Sequence, residues 1–226
     1  MKKVGLVGGV SWTSTLDYYQ LINEGINERL GGLNAAECVI YSLNFADVQE
    51  QTWENAFELL FQACLTLKRS NVEAIVLCAN TAHMFADKIE EQVGLPIINI
   101  ITATAKAINS KDISKVALLG TKFTMEMDFY KDKLEGYGLN IMIPNTQEDR
   151  DIIQHIVKEE LGKGKLKKES KETFISISKK LINDGAEGII LGCTEIPLLI
   201  GQEDFSIPVL DTTKIHSEAI INYILN

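Results

Sequence analysis

Short apolar runs, nearly free of charge, recur along the chain, and most are followed by a longer stretch whose apolar side chains return every three or four residues. The runs at residues 4–7, 38–43, 73–78, 95–99, 115–119, 139–143 and 189–191, and the one opening at Ile207, predict strands, and the charge-free run at 189–191 predicts one buried on both faces. Between them, helical spacing predicts helices over 14–30, 48–70, 80–93, 123–135, 149–161, 167–184 and 213–225. The first helix shows the pattern well: Leu16, Tyr19, Ile22, Ile26 and Leu30 share one side, and Gly31-Gly32 ends it. Strands alternating with helices predict an α/β fold with parallel sheets.

The pattern is written twice. Val4 to Gly9 returns 112 residues later as Val116 to Thr121, and Leu95-Pro96-Ile97-Ile98-Asn99 returns at the same offset as Ile207-Pro208-Val209-Leu210-Asp211. Ala74 to Thr81 aligns without a gap on Gly188 to Glu195, 114 residues on. Such an internal duplication predicts two pseudo-symmetric lobes, each a short parallel sheet flanked by helices. No low-complexity linker separates the two halves.

Corresponding strand ends carry polar residues in both halves: Gly8-Gly9 with Gly120-Thr121, Asn80-Thr81 with Thr194-Glu195, and Asn99 with Asp211. Parallel sheets bind ligands outside the carboxyl ends of their strands. Lobes that face each other would bring these edges to one cleft. Like groups would then meet opposite faces of a small ligand, a geometry suited to removing a proton from one face of a carbon and delivering one to the other.

Cys193 is the candidate acid/base. The expected placement, between a strand end and a helix N-terminus, would let the helix dipole stabilise a thiolate; a buried structural cysteine is the alternative. In the aligned repeat Cys193 faces Ala79, and Cys78 stands one step out of register. Side chains alternate along a strand, so Cys78 should turn to the other face and into the core. His83, on the first turn after Asn80-Thr81, is a second proton-transfer candidate, with a surface or satisfied core histidine as the alternative. His216 and Asp211-Thr212-Thr213 lie just past the last strand, and Cys38 and Cys64 read as core. The turn Gly8-Gly9-Val10-Ser11 offers close backbone approach, capping hydroxyls and unpaired N–H groups suited to a carboxylate or phosphate. It is neither a dinucleotide fingerprint nor a Walker loop.

Composition narrows the classes. Apolar residues make up 46% of the 226 residues, enough for an ordinary core. A formal net charge of −9 argues against nucleic acid or an anionic membrane as partner, and the only dense basic stretch is residues 163–171. Four cysteines without a CxxC pair predict free thiols in a reducing, cytoplasmic setting. His83, His155 and His216 show no metal-ligand spacing, so no metal is expected. The N-terminus reads as a first strand rather than a signal peptide, and no apolar stretch is long enough to span a bilayer.

Several motifs in order resemble the aspartate/glutamate racemase family, most closely its aspartate racemase branch. They are Gly8-Gly9-Val10-Ser11-Trp12-Thr13-Ser14-Thr15 with Tyr18-Tyr19 and Asn23; Asn80-Thr81-Ala82-His83; Gly120-Thr121 with Thr124-Met125; Glu160-Leu161 with Gly164-Lys165; and Gly192-Cys193-Thr194-Glu195. The resemblance implies a cofactor-independent amino-acid racemase, with the active site between two lobes and a homodimeric assembly. The implied lobes are residues 1–103 with 209–226, and 104–208. In the family two cysteines flank the substrate α-carbon, one thiolate taking the proton and the other group, as thiol, returning it. Gly9, Ser11, Trp12, Thr15, Asn80, Thr81, Thr121, Thr124, Thr194 and Glu195 would bind substrate, and Lys165 matches a family lysine near the site. N–H and hydroxyl groups aimed at the substrate carboxylate would stabilise the carbanion-like charge.

The departure is Ala79, which stands where the family's first catalytic cysteine precedes the Asn-Thr pair; alanine moves no proton. Three readings remain open on the sequence: racemisation with Cys193 on one face and Cys78, His83 or water on the other; a one-cysteine decarboxylase or other one-sided proton-transfer enzyme; and a degenerate amino-acid-binding relative. None of Arg29, Arg69 and Arg150 falls in a recognised motif, so the identity of the amino acid stays open.

Overall fold

In the computed structural model, which describes every residue except Thr52, the chain divides into two compact units, Met1–Ile100 with Thr213–Asn226, and Ile101–Thr212. The first runs β1 (Val4–Gly8), α1 (Trp12–Leu30), β2 (Cys38–Ser42), α2 (Phe45–Gln51), α3 (Phe57–Arg69), β3 (Ala74–Leu77) and α4 (Ala86–Val93). The second holds α5 (Ile100–Asn109), β4 (Lys115–Gly120), α6 (Lys122–Glu126), α7 (Asp128–Glu135), β5 (Asn140–Met142), α8 (Gln147–His155), α9 (Lys168–Asn183), β6 (Gly188–Gly192) and β7 (Val209–Asp211). The last helix, α10 (Thr212–Leu225), returns to the first unit.

Both sheets are parallel, as the alternation of strands and helices requires. Their orders are β2-β1-β3 and β5-β4-β6-β7. In the first unit a single parallel bridge, Ile75 to Ile97, takes the place of the fourth strand. The duplication extends to individual hydrogen bonds. Glu73 N–H donates to the Lys3 carbonyl at 2.7 Å, and Glu187 N–H donates to the Lys115 carbonyl at 2.7 Å. Ile75 N–H donates to Pro96 O, and Ile189 N–H to Pro208 O, both at 2.9 Å. The carboxylates repeat as well: Glu73 accepts from Lys3 N–H at 3.0 Å, and Glu187 from Lys115 N–H at 3.0 Å. Each carboxylate closes the entry of the central strand of its own sheet, satisfying a donor the ladder leaves over.

Several elements differ from their predicted form. The predicted strand at 95–99 reduces to the Ile97 bridge because the chain enters α5 at Ile100. The helix expected over 48–70 crosses Thr52, which lies outside the described residues. Its described part is two helices around a 3₁₀ turn at Trp53–Asn55, where the Ala56 N–H donates to Trp53 O at 3.1 Å and both side chains turn inward. A 3₁₀ turn at Thr81–Phe85 precedes α4. The stretch 123–135 breaks at Met127, whose backbone is extended, and 149–161 widens from α8 into a π turn at Ile156–Glu160 and then tightens into a 3₁₀ turn at Leu161–Lys163. Helix α5 has no counterpart among the predicted elements. Its buried Ile101, Ala105 and Ile108 keep helical spacing, but they continue directly from the apolar run before it.

A polar chain crosses the core of the first unit. The Tyr18 hydroxyl on α1 donates to His216 Nδ1 at 2.8 Å, and His216 Nε2–H donates to the Ile98 carbonyl at 2.6 Å. These partners assign the neutral imidazole tautomer. Burial pushes the His216 pKa down to about 3, with the neighbouring His83 adding to the effect. The folded-state value lies below the unfolded one, so the unfolded chain gains a proton the folded chain refuses as pH drops below about 6.5. Stability should therefore fall between about pH 6.5 and pH 3, His216 contributing at most about 1.4 kcal/mol per pH unit. Urea unfolding at pH 7, 6, 5 and 4 should show a shallower pH slope in His216→Gln than in the unmodified chain; equal slopes would remove His216 as a cause.

Candidate active site

Cys193 sits one residue beyond β6, at a strand end where glycines bring two backbones close together. Gly120 of β4 and Gly192 of β6 are register partners. A Cβ on Gly120 would lie 3.0 Å from the Gly192 carbonyl and 3.0 Å from Thr124 Cβ, and one on Gly192 would lie 3.0 Å from Leu118 Cδ1. Buried Thr124 packs over this pair, and Thr121 caps α6, its Oγ1 accepting from Thr124 N–H at 3.3 Å. Thr121, Thr124 and the Cys193 strand end thus belong to one edge of the second sheet.

Cys193 is 8% exposed and shares the apolar cluster of Ile189 and Leu191, the same strand face at a period of two. Its Sγ donates to Glu195 Oε2 at 3.0 Å, and the Thr194 hydroxyl donates to that oxygen at 2.9 Å. Burial first, then the charge of Glu195 and its hydrogen bond to the thiol, hold the Cys193 pKa well above the ordinary cysteine value. The backbone N–H groups of Glu195 and Thr194 pull the other way. The expected helix dipole is missing, since only a three-residue 3₁₀ turn, Ile196–Leu198, comes after this strand end. Cys193 therefore rests as a thiol whose proton points at a carboxylate, not as a dipole-stabilised thiolate.

The corresponding strand end of the first unit is built differently. The Cys78 N–H still donates to Val7 O at 2.9 Å, so Cys78 remains in the ladder. Its side chain joins Ala74 and Val76 in the cluster with Val4, Leu6 and Tyr18, on the opposite strand face from Ile75, Leu77 and Ala79. It is 2% exposed, and burial pushes its thiol far up. Ala79 occupies the position that Cys193 holds in the second unit, and its carbonyl accepts from His83 Nδ1–H at 2.9 Å. His83 Nε2 accepts from Ile100 N–H at 3.2 Å, so both ring nitrogens bond backbone and the ring is 4% exposed. Asn80 and Thr81 are buried at the same strand end.

The glycine turn is tightly constrained. Gly9 has φ +83°, and a Cβ there would lie 2.1 Å from the Leu43 carbonyl. Its N–H donates to Thr15 Oγ1 at 3.0 Å, while the Thr15 hydroxyl donates to Ser11 O at 2.9 Å. Ser11 caps α1, its Oγ accepting from Ser14 N–H at 3.3 Å. Gly9, Ser11 and Thr15 are thereby joined, whereas the Trp12 ring stands out, 68% exposed. Lys165 lies on an exposed stretch and makes no ion pair among the described residues. Sequence reasoning gives Glu160 no role of its own, yet it is 7% exposed and bonds Lys167 Nζ and Ser170 Oγ; its placement inside the Glu160-Leu161…Gly164-Lys165 motif is the available signal. The contact of Glu195 with the thiol is likewise unforeseen, because a two-residue separation does not by itself bring side chains together.

Among the described residues, no group of three or more His, Cys, Asp or Glu side chains is placed to hold a metal ion, and no helix is long and apolar enough to cross a membrane. A solved structure of a provisionally assigned Asp/Glu racemase from Yersinia pestis is similar to this chain at 42% identity and a TM-score of 0.93, covering 100% of both chains. That of an aspartate racemase homologue from Pyrococcus horikoshii OT3 is similar at 39% identity and a TM-score of 0.87, again over 100% of both. The glutamate racemase of Streptococcus agalactiae is 29% identical over 154 residues, 67% of this chain, and the match covers 53% of that enzyme, so the chain matches about half the length of this curated relative. The profile of the Asp/Glu/Hydantoin racemase family matches residues 7–220. The chain belongs to the Asp/Glu/Hydantoin racemase family.

Proposed function

We propose that the chain is a cofactor-independent amino-acid racemase of the aspartate/glutamate type, with Cys193 as its principal acid/base and an asymmetric site. The carrying observation is the 3.0 Å contact between Cys193 Sγ and Glu195 Oε2 at the end of β6. Relatives named glutamate racemase and aspartate racemase homologue support the substrate class.

The resting thiol is an acid. It delivers its proton to one face of a substrate carbanion and becomes the thiolate, which the Thr194 and Glu195 N–H groups stabilise. In the reverse direction the thiol first passes its proton to the Glu195 carboxylate. The thiolate then takes the α-proton and is a thiol again, and the electron pair of the broken C–H bond stays on the α-carbon. Reprotonation from the other face by a second donor completes inversion, and Glu195 returns its proton to that donor. With alanine at 79, Cys78 in the core and both nitrogens of His83 engaged, water is the donor that needs no rearrangement. The family resemblance assigns the substrate's polar groups to Gly9, Ser11, Trp12, Thr15, Asn80, Thr81, Thr121, Thr124 and Thr194, and a substrate carboxylate to Lys165. The free thiols fit a reducing cytoplasm. The exposed stripe Trp12, Leu16 and Tyr19 on α1, at helical spacing, suits a second copy of the chain in a homodimer.

Ala79 also favours a second reading, one-sided proton transfer such as decarboxylation of a malonate-type acid. It predicts CO₂ release that Cys193→Ala abolishes.

In deuterium oxide, α-exchange into D- and L-aspartate and glutamate should be unequal, one enantiomer of the true substrate leading by about tenfold or more, with slow net inversion. Cys193→Ala should lower exchange by about 10³-fold. Absence of exchange in every enantiomer would overturn the racemase reading for these substrates, and exchange confined to one enantiomer would favour the one-sided reading. Ala79→Cys, which supplies the family thiol, should raise net inversion; no gain would mean that residue 79 does not limit the second face. Glu195→Gln removes two causes of the raised thiol pKa, so iodoacetamide should alkylate Cys193 faster at pH 8 by about tenfold, and the exchange profile should move to lower pH. Alkylation at an unchanged rate would disprove the coupling.

A further inference from the structure

The segment joining α8 to α9 is held by one buried side chain. At Ile156–Glu160 the helix widens into a π turn, and the Leu161 N–H donates back to the Ile156 carbonyl. A 3₁₀ turn at Leu161–Lys163 comes next, and Gly164 is left-handed at φ 69°. The Gly164 N–H donates to Leu161 O at 2.9 Å, and the Lys165 N–H donates to Glu160 O at 2.9 Å. This nested pair of bonds around a left-handed glycine is a Schellman turn. It ties the backbone of Lys165 to the backbone of Glu160.

The side chain of Glu160 makes the second half of a clamp. Oε1 accepts from Lys167 Nζ at 2.9 Å, and Oε2 accepts from Ser170 Oγ at 2.5 Å. Ser170 is 5% exposed in the first turns of α9, so Glu160 bonds residues on both sides of the strap, its carbonyl to 165 and its carboxylate to 167 and 170. The cations around Lys165 are neutralised locally: Lys163 by Glu159, Lys167 by Glu160, Lys168 by Glu172 and Lys171 by Asp204. Lys165 makes no ion pair among the described residues, although acidic side chains crowd the same segment. An exposed lysine loses much rotamer freedom when it binds a carboxylate, so a backbone fixed beforehand lowers that cost. The Glu160 carboxylate supplies both devices: it occupies Lys167 and, by tying residues 167 and 170 to the end of the π turn, it restrains the strap whose backbone carries Lys165.

We propose that Glu160 is a positioning residue, whose clamp on residues 161–167 holds the Lys165 ammonium ready for a carboxylate of a dicarboxylic amino-acid substrate. The inference rests on the racemase reading above for the identity of the substrate, but the clamp itself is testable without turnover.

Two measurements on the full chain test it. Amide hydrogen exchange at Gly164 and Lys165 should speed up about tenfold or more in Glu160→Ala and less in Glu160→Gln, with the amides of β4 and β6 unchanged. Unchanged exchange at Lys165 overturns the clamp. In steady-state kinetics, Glu160→Ala should raise KM for the dicarboxylic substrate about tenfold, with a smaller change in kcat, and Glu160→Gln should recover part of the loss. Lys165→Met should reproduce the KM effect, and the double variant should be no worse than Lys165→Met alone, as expected when one residue acts through the other. Additive losses, or a KM within twofold of the original despite a loosened strap, overturn the proposal. No turnover or exchange by the unmodified chain overturns the racemase reading instead and leaves the amide measurement to decide the clamp.

Discussion

Sheet register is the constraint on which the site depends. Parallel pairing of β6 with β4 and β7 fixes Ile189, Leu191 and Cys193 on one face, and no slip of a single residue is tolerated because it would turn all three over. The same rule acts on β3, where Ala74, Val76 and Cys78 line the core under α1 and α10 while Ile75, Leu77 and Ala79 use the other face. The thiol one position early, Cys78, therefore joins the apolar cluster of the first unit. It is a core residue, closer in role to the leucines and valines around it than to Cys193.

The two strand ends also differ in where their polar groups go. At the end of β6 a carboxylate turns back on the thiol and keeps a proton there. At the end of β3 the imidazole of His83 spends both nitrogens on backbone, on Ala79 O and Ile100 N–H, and edges against His216, itself bonded to Tyr18 and Ile98. These bonds satisfy groups that burial would otherwise leave unpaired at a cost of about 1–3 kcal/mol each. One unit has committed its titratable groups to holding the fold, the other keeps them facing each other.

Most of the architecture was legible because it derives from periodicity. The two parallel sheets, the repeat offsets and the face of Cys78 need only the period of two and the period of 3.6. Helix α5 was not legible, because Ile100 and Ile101 extend the apolar run that carries Ile97, and no polar break marks where strand spacing yields to helical spacing. The dipole expected at Cys193 failed for a related reason: a helix N-terminus was expected beside the strand end, but the chain makes only a 3₁₀ turn at Ile196–Leu198. The Glu195–thiol contact and the Glu160 clamp depend on side-chain rotamers and a π turn, neither of which leaves a spacing to read.

The duplication separates what the fold requires from what the chemistry requires. Glu73 and Glu187 repeat because each closes the start of a central strand, and Gly8 and Gly120 repeat because each lets a threonine pack against the strand end. Residue 79 carries no such duty: its side chain lies at a half-buried strand end, and the bond it makes to His83 comes from its carbonyl, which any residue would supply. A cysteine there could become an alanine without loss to the sheet, whereas the same change at 193 would leave Glu195 without the thiol it accepts from. Asymmetry between residues 79 and 193 is thus inexpensive for the fold.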